Sequence, residues 1–342
     1  MSTFSKNIKL FRLQKGYTRC HLARMAGLSA QSITHYETGR RMPRKELLER
    51  LASVLDIGIT DLLRPRDNAL VFVHEQWAGR RHPTRASREL VTESIEDYVG
   101  RVHAVTMLLG PGVLPDAPVC HALPPALAIE EAAARLRRHL RLPENGPIHA
   151  LAIHLEDVGI LVHGLDFRDG LASTHGLANG RPYIAINTAG SRWERRLALF
   201  SETAKLMFQE ETAPPSKRAE EHQAAAMAGA FFLPAADLRR ELGSRRTSLH
   251  GDARDLCRKY GIPYRLLVER AFRCGVISRA VREATLRGNG FTGEEGGELS
   301  PREEPSLLRR LVLRAVAEGL VTVGQATILT NIPESELLDL CR

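Results

Sequence analysis

TRCHLARMAGLSAQSITHYETGRRMP, residues 18–43, carries the clearest structural signals of the N-terminal region. Its first part, residues 19–26, carries apolar side chains at helical spacing and predicts a short helix. Gly27-Leu28-Ser29 then supplies a tight turn whose serine is placed to cap a second helix, from Ala30 to Thr38. Ile33 and Tyr36 face inward on that second helix. The stretch therefore predicts two short helices joined by a tight turn.

Three further helical segments flank this pair. A helix with Leu10 and Leu13 on its apolar face precedes it, and a short helix from Ile59 to Leu63 ends the region before Pro65. The helix between them carries its apolar residues at helical spacing, at Leu47, Leu48, Leu51 and Val54. Residues 1–66 are therefore expected to form an all-α bundle.

The stretch from Thr18 to Pro43 closely resembles the helix-turn-helix of the xenobiotic-response-element and phage-repressor family. The resemblance implies a DNA-binding domain over residues 1–66 that acts as a homodimer on a double-stranded DNA operator. The residues expected to meet base edges in the major groove are Ala30, Gln31, Ser32, Thr34 and His35. Those expected along the phosphates are Arg12, Arg19, Arg40, Arg41 and Arg44. Arg19 departs from the family, which usually places Gln there, so Arg19 is expected to contact phosphate alone.

The placement of charge supports this interpretation. The 342-residue chain has a formal net charge of +8. Residues 1–66 contain 13 Lys or Arg and 5 Asp or Glu, and the remainder contains 35 of each kind. A basic end on a neutral body is typical of an attached nucleic-acid-binding module. The alternative for the bundle is a protein-interaction module that does not touch DNA.

Composition limits the other classes of function. Apolar residues make up 43% of the chain and charged residues 26%, which excludes a wholly disordered or fibrous chain. The 13-residue apolar stretch Ala224 to Ala236 is shorter than the ~20 residues that a membrane helix needs, and the N-terminus lacks a signal-peptide pattern. The protein is therefore expected to be cytoplasmic. The five cysteines contain no Cys-x-x-Cys pair and predict neither a disulfide framework nor a thiolate zinc site.

Residues 67–128 are expected to form a connecting helix, over Ser94 to Met107, and a Pro-rich linker, over Pro111 to Pro125. Residues 129–290 alternate helical and strand patterns. The predicted helices are Ile129–Leu140, with Arg135, Arg137 and Arg138 facing outward, then Ile148–Val158, Ser191–Gln209 and Arg218–Phe232. The predicted strands are Ile160–Leu165, Ala172–Leu177 and Tyr183–Asn187, with a hairpin turn at Gly180-Arg181-Pro182. A loop is expected over Glu210 to Lys217.

This middle segment resembles the ImmA/IrrE-type metallopeptidase domain, over roughly residues 68–290. The stretches that carry the resemblance are Gly180–Thr188, Arg196–Phe200, Ala228–Ala235, Arg258–Pro263 and Arg270–Ser278. It implies a zincin-like α+β fold with a small sheet.

The family's chemistry depends on His-Glu-x-x-His, because residues four apart share a helix face and can place two imidazoles on one zinc beside a Glu base. Here that motif reads Ser201-Glu202-Thr203-Ala204-Lys205, and the family's third ligand, a Glu, falls on Gln223. Ser and Gln are poor zinc ligands and Lys brings a cation to the metal's place. The sequence therefore predicts a degenerate site with no metal, no cofactor and no enzymatic activity. Glu202 is expected to pair with Lys205, three residues further along the helix.

Two other interpretations of this domain stay open. A relocated metal site could use histidines from His149, His154, His163, His175 and His222, although these are spread over different helix faces and strands. The second concerns the cluster Met207, Phe208, Met227, Phe231 and Phe232, which is either plain core or an apolar ligand pocket beside Ser201, Glu202, Lys205 and Gln223.

Residues 291–342 are expected to form a linker and a small helical domain. The Gly/Glu-rich linker runs from Gly288 to Pro305, and the predicted helices are Leu307–Ala317, Val321–Leu329 and Glu334–Leu340. This segment has no basic excess, so we expect a protein contact there, and dimerisation in particular, rather than DNA binding. The whole chain is predicted to be an α+β, predominantly helical protein. Its predicted function is transcriptional regulation, with a middle domain that senses a small-molecule or peptide effector. The alternatives are an active zinc metallopeptidase that cleaves itself or a partner repressor, and the antitoxin of a toxin pair.

Overall fold

The computed structural model describes residues 3–65, 70–79, 84–117, 121–122, 128–166, 171–209, 217–249, 251–287 and 303–340. The helices in these ranges are α1 (Thr3–Gln14), α2 (Arg19–Met25), α3 (Ala30–Glu37), α4 (Lys45–Leu55), α5 (Ile59–Leu63), α6 (Arg85–Leu109), α7 (Ile129–His139), α8 (Leu151–Asp157), α9 (Arg192–Met207), α10 (Lys217–Phe232), α11 (Ala235–Leu242), α12 (Gly251–Tyr260), α13 (Tyr264–Arg273), α14 (Arg279–Arg287), α15 (Leu307–Ala317), α16 (Val323–Thr330) and α17 (Glu334–Leu340). The strands are β1 (Phe72–Gly79), β2 (His121–Ala122), β3 (Leu161–Leu165), β4 (Leu171–Ala178), β5 (Arg181–Asn187) and β6 (Phe208–Gln209). The predicted fold class is confirmed: the chain is mainly helical, with a small sheet in its middle part.

The chain divides into two compact units. The terminal unit comprises residues 1–74, 81–114 and 306–342, and the middle unit comprises residues 75–80 and 115–305. The terminal unit therefore contains both ends of the chain. The four domains drawn from the sequence stay a prediction.

Helices α1 to α5 form a bundle around one apolar core. That core includes Ile8 from α1, Leu22 from α2, Ile33 from α3, Leu51 from α4 and Leu62 from α5, all fully buried. The predicted cap at Ser29 is confirmed, because its hydroxyl accepts from the Ser32 amide at 3.1 Å. A second cap, which was not predicted, is Thr18, whose hydroxyl accepts from the His21 amide at 3.1 Å. Gly27 has a φ of +63°, which suits the turn between α2 and α3.

Helix α6 connects the N-terminal bundle with the C-terminal helices of the terminal unit. It spans 25 residues, begins nine residues before the predicted Ser94 and packs against both α1 and α15. Lys9 of α1 pairs with Glu93 of α6 at 3.1 Å. Leu311 and Val312 lie on the buried face of α15. The apolar face of α15 thus packs within the chain itself.

A buried polar junction joins the elements of the terminal unit. Arg64, which follows α5, pairs with Asp97 of α6 at 2.7 Å and donates to the carbonyl of Ile328 in α16 at 3.2 Å. The Asn7 side-chain amide donates to the carbonyls of Leu62 and Arg64 at 3.1 and 2.9 Å. The N-terminal bundle, α6 and the C-terminal helices are therefore linked by buried hydrogen bonds as well as by apolar packing.

The sheet of the middle unit has the strand order β1-β4-β5-β3, with β5 antiparallel to β4 and parallel to β3. The three strands predicted for this region are confirmed, but β1 was not foreseen. The hairpin turn lies at Asn179-Gly180, not at Gly180-Arg181-Pro182, and both turn residues have positive φ, 49° and 79°. Asn-Gly is the residue pair that favours a two-residue turn with this geometry. Helix α9 packs on β4 and β5.

The expectation that Arg137 faces outward is wrong. Arg137 is 1% exposed and donates to the carbonyls of Phe231 at 2.7 Å, Pro143 at 2.8 Å and Gly146 at 3.0 Å. Burial lowers the pKa of Arg137 to about 10, which still leaves the side chain charged at neutral pH. Arg135 and Arg138 are exposed as predicted and both pair with Glu131.

Cys20, Cys257 and Cys274, the cysteines that the structure describes, form no disulfide bond with one another. Cys120 and Cys341 lie outside the described residues, as do most of the predicted loop over Glu210 to Lys217 and most of the Gly/Glu-rich linker.

Candidate functional site

The outer face of α3 presents the residues predicted to read bases. Gln31 is exposed, and Ala30, Ser32, Thr34 and His35 are half-buried beside it. Two side-chain hydroxyls are already engaged locally, because Thr34 donates to the carbonyl of Ala30 at 3.0 Å and Ser32 lies 2.9 Å from the Ser29 hydroxyl. Gln31 is thus the side chain of this face with the most freedom to meet a ligand.

Arg12 does not fit its predicted contact with phosphate. It is 5% exposed, forms an ion pair with the buried Glu37 of α3 and donates to the carbonyl of Tyr17 at 2.7 Å. Arg19 shares the same carboxylate, since its Nε lies 2.6 Å from Glu37 Oε2, but its side chain remains 44% exposed. Glu37 therefore braces α3 between α1 and α2, a role that the sequence reasoning missed.

The other three predicted phosphate contacts lie on an exposed surface. Arg40 and Arg41 follow the C-terminus of α3, and their backbone amides donate to the carbonyl of His35. Arg44 immediately precedes α4. All three side chains are exposed, and the described part of the chain offers none of them a carboxylate within ion-pair distance. Arg40 and Arg41 therefore place positive charge at the C-terminal end of α3, and Arg44 adds another at the start of α4.

The middle unit holds a second candidate site, around Glu202 on α9. This carboxylate is 0% exposed and accepts from the Ser173 hydroxyl at 2.7 Å. His175 Nδ1 lies 2.5 Å from its other oxygen, and Lys205 Nζ lies 3.3 Å from the first. The predicted pair of Glu202 with Lys205 is confirmed. Ser173 and His175 come from β4 and were not assigned to the site from the sequence.

Electrostatics keep Glu202 ionised. Burial on its own would raise the pKa of this carboxyl group, but the hydrogen bond from His175, the charge of Lys205 and the hydrogen bond from Ser173 together hold the pKa below its usual value. A buried carboxylate with three donors is a fully satisfied group.

The structure describes the side chains of three of the four predicted cleft residues. Ser201 is half-buried and Lys205 is exposed; they are one helical turn apart on α9. Gln223 lies in α10, but its side chain is outside the described residues. Among the residues that the structure describes, no group of three His, Cys, Asp or Glu could hold a metal ion.

Helix α9 is anchored by a second buried pair. Arg196 is bonded to Glu303 at 3.0 Å, with exposed fractions of 1% and 0% for the two side chains. Arg196 also donates to the carbonyl of Ile148, and Glu303 accepts from the amide of Ala152 at the start of α8. Burial lowers the pKa of Arg196 and raises that of Glu303. The pair fixes the start of the helix that carries Glu202.

The bundle has two capped helices joined by a tight turn, an outer face on the second of them and exposed arginines after it. These features define a helix-turn-helix protein. Comparison with known proteins agrees: residues 8–62 match the helix-turn-helix family model, and the chain belongs to this family, in its xenobiotic-response-element form. Residues 155–272 match the model of the IrrE N-terminal-like domain. Both resemblances inferred from the sequence are confirmed.

The similar curated proteins each match a short part of the chain. One is an uncharacterized HTH-type transcriptional regulator of Bacillus subtilis, YqaE, 35% identical over 72 residues, which are 21% of this chain and 62% of the relative. Another is an uncharacterized HTH-type transcriptional regulator of the same organism, YazB, 32% identical over 62 residues, 18% of this chain and 90% of the relative. The chain thus spans less than two thirds of the length of YqaE. No solved structure matches the chain. No described helix is long and apolar enough to cross a membrane.

Proposed function

We propose that this protein is a sequence-specific DNA-binding transcriptional regulator. The observation that carries the proposal is the outer face of α3 with its exposed Gln31. The same bundle carries four exposed arginines, Arg19, Arg40, Arg41 and Arg44. Gln can pair with adenine through two hydrogen bonds, and Arg binds phosphate. Arg12 is left out of the contact set because it is buried against Glu37. The protein acts as a homodimer, since repressors of this type read paired half-sites.

The first test separates base reading from backbone contact. Gln31→Ala is expected to weaken binding of the selected operator by ~1–3 kcal/mol at one base position and to leave binding of random DNA unchanged. Arg41→Ala is expected to weaken both and to lower the slope of log affinity against log salt by ~1. Equal weakening on operator and random DNA by Gln31→Ala would make Gln31 a backbone contact.

The middle unit is proposed to be a sensor without peptidase activity. The residues at the family's zinc position do not fit the metal: Ser201 and Lys205 replace the two histidines, and the Lys205 ammonium lies 3.3 Å from the Glu202 carboxylate that would serve as base. We propose that a cleft bounded by Ser201, Glu202, Lys205 and Gln223 takes an anionic or amide-bearing effector, because an ammonium and a carboxamide supply hydrogen-bond donors where the family holds a cation.

Two measurements on the full chain test this part. Zinc content of the purified protein is expected to be far below one per chain, and ~1 zinc per chain would favour the metallopeptidase alternative. Lys205→Glu is expected to change operator control in cells without changing operator binding by the purified protein, because an effector shifts the regulator only by its differential affinity for two states. Unchanged control under every growth condition would remove the sensor role.

A further inference from the structure

The middle unit carries a basic surface of its own. Residues 235–287, which span α11 to α14, contain 13 Lys or Arg and 6 Asp or Glu, a net charge of +7. This excess nearly equals that of the first 66 residues. It is hidden in the overall count because the rest of the chain beyond residue 66 carries a matching negative charge.

The six carboxylates of this segment are all engaged. Four of them each form an ion pair with one basic side chain: Asp237–Arg240, Asp252–Arg246, Asp255–Arg258 and Glu269–Arg282. The other two carboxylates each pair with two basic side chains. Glu241 pairs with Arg240 and Lys259, and Glu283 pairs with Arg279 and Arg287. The positive charge therefore exceeds what the segment can neutralise internally.

Three of the remaining arginines lie around one short segment of chain. Arg239 of α11 donates to the carbonyl of Cys274 at 3.2 Å, and Arg273 precedes that cysteine. Arg245 precedes Arg246, whose amide donates to the carbonyl of Val276 at 2.7 Å. We call Arg239, Arg245 and Arg273 the basic edge. All three are exposed, and none has a carboxylate within ion-pair distance in the described part of the chain.

We infer that the basic edge binds the phosphate backbone of duplex DNA. Guanidinium groups pair with phosphate oxygens, and clustered arginines without internal partners are the usual source of such contacts. A protein partner fits less well, because protein interfaces place aromatic and large apolar side chains at their centre. In residues 235–287, Leu286, on α14, is the one large apolar side chain among the exposed described residues. The contact is independent of sequence, since none of these arginines is held in a base-reading element.

The inference rests on the proposed function only in that α2 and α3 bring the chain to DNA. A second, sequence-independent contact in the middle unit adds to the affinity of the first, because both belong to one chain. An effector bound in the middle unit would then act on a part of the molecule that touches DNA itself.

The test uses the full chain, a random-sequence duplex without an operator, and titration of binding against salt. Arg245→Ala/Arg273→Ala is expected to lower the slope of log affinity against log salt by ~2, because each lost phosphate contact removes ~0.9. The matched control is Arg135→Ala/Arg138→Ala, which removes the same charge from two exposed arginines that pair with Glu131. The control is expected to leave the slope unchanged, and thermal unfolding checks that both variants are folded.

Each outcome has a distinct meaning. A slope that is equal in the wild type and in the Arg245/Arg273 variant overturns the inference, as does an equal decrease in both double variants, which would indicate an effect of net charge alone. Binding of an acidic protein, with no change on DNA, would also overturn it. Failure of the proposed function shows elsewhere: Gln31→Ala would then leave operator binding unchanged, and Arg41→Ala would leave binding of both operator and random DNA unchanged.

Discussion

Glu202 is expected to be a main source of stability in the middle unit, and its replacement by Ala tests this. Ser173 and His175 are each 2% exposed and would lose their acceptor where water cannot replace it. An orphaned buried polar group costs about 1–3 kcal/mol, so the two together predict a loss of about 2–6 kcal/mol in the free energy of unfolding. Breaking a buried charged pair from one side gives a similar figure, about 3–5 kcal/mol. Lys205 adds little, because its side chain is 36% exposed and can turn into water.

The assay needs a probe that reports on the middle unit alone. Trp193 packs edge to face on Phe232 at 5.4 Å, so its fluorescence follows unfolding of this core once the other tryptophan is replaced by Trp77→Phe. In urea titrations of this background, Glu202→Ala is expected to show the full loss and Glu202→Gln a smaller one, because Gln keeps an acceptor for Ser173. Lys205→Ala is the matched control and is expected to cost no more than about 1 kcal/mol. A loss below about 1 kcal/mol for Glu202→Ala, or an equal loss for Lys205→Ala, would refute the assigned network.

Two further predictions concern buried charges of the same unit. The pKa of Glu202 is lowered in the folded state, so the stability that its charge contributes is present above the ordinary glutamate pKa and lost as pH falls below it; the gap between wild type and Glu202→Gln in urea titrations should therefore shrink on acidification. Burial raises the pKa of Glu303, so the pH effect on stability has the opposite sign. The stability of the wild type relative to Glu303→Gln should therefore increase as pH falls toward the ordinary glutamate pKa. Arg137→Met should destabilise the unit by about 1–3 kcal/mol, because the buried carbonyl of Phe231 loses its donor, and the partly exposed carbonyls of Pro143 and Gly146 lose theirs as well. The exposed neighbour Arg138→Ala should cost less than about 1 kcal/mol. Equal unfolding midpoints for these two arginine variants would contradict the assignment.

The helix-turn-helix could be predicted because its signals are local. The cap at Ser29, the glycine turn before it and the inward Ile33 all lie within a few residues of one another. The same holds for the β4–β5 hairpin, although the turn was placed one residue too late because Asn179 was not taken with Gly180 as the turn pair. The buried state of Arg12 depends instead on Glu37, 25 residues further along the chain. A local pattern could not show it.

The partners of Glu202 are also remote in sequence, yet one local signal pointed to them. Ser173 and His175 alternate along a strand and share one of its faces. That face is covered by α9, so polar side chains on it must find partners there. Polar residues on the covered face of a strand therefore predict a buried polar partner there, without saying which one.

Arg137 and Glu202 extend this reasoning to helices. Arg137 falls in the stripe Ala133, Leu136, Arg137 and Leu140, and Glu202 in the stripe Leu199, Glu202, Thr203 and Leu206, both with the spacing of a buried helix face. A charged residue at such a position either keeps the helix from packing or has its charge compensated by buried hydrogen-bond or ion-pair partners. Both helices pack, and both residues have their partners. Glu202, which stands at the position of the family's base, therefore lies on a buried helix face where its carboxylate needs hydrogen-bond partners. Positions 201 and 205 carry Ser and Lys, and Ser173, His175 and Lys205 supply the hydrogen bonds of Glu202, which explains how its carboxylate can stay buried.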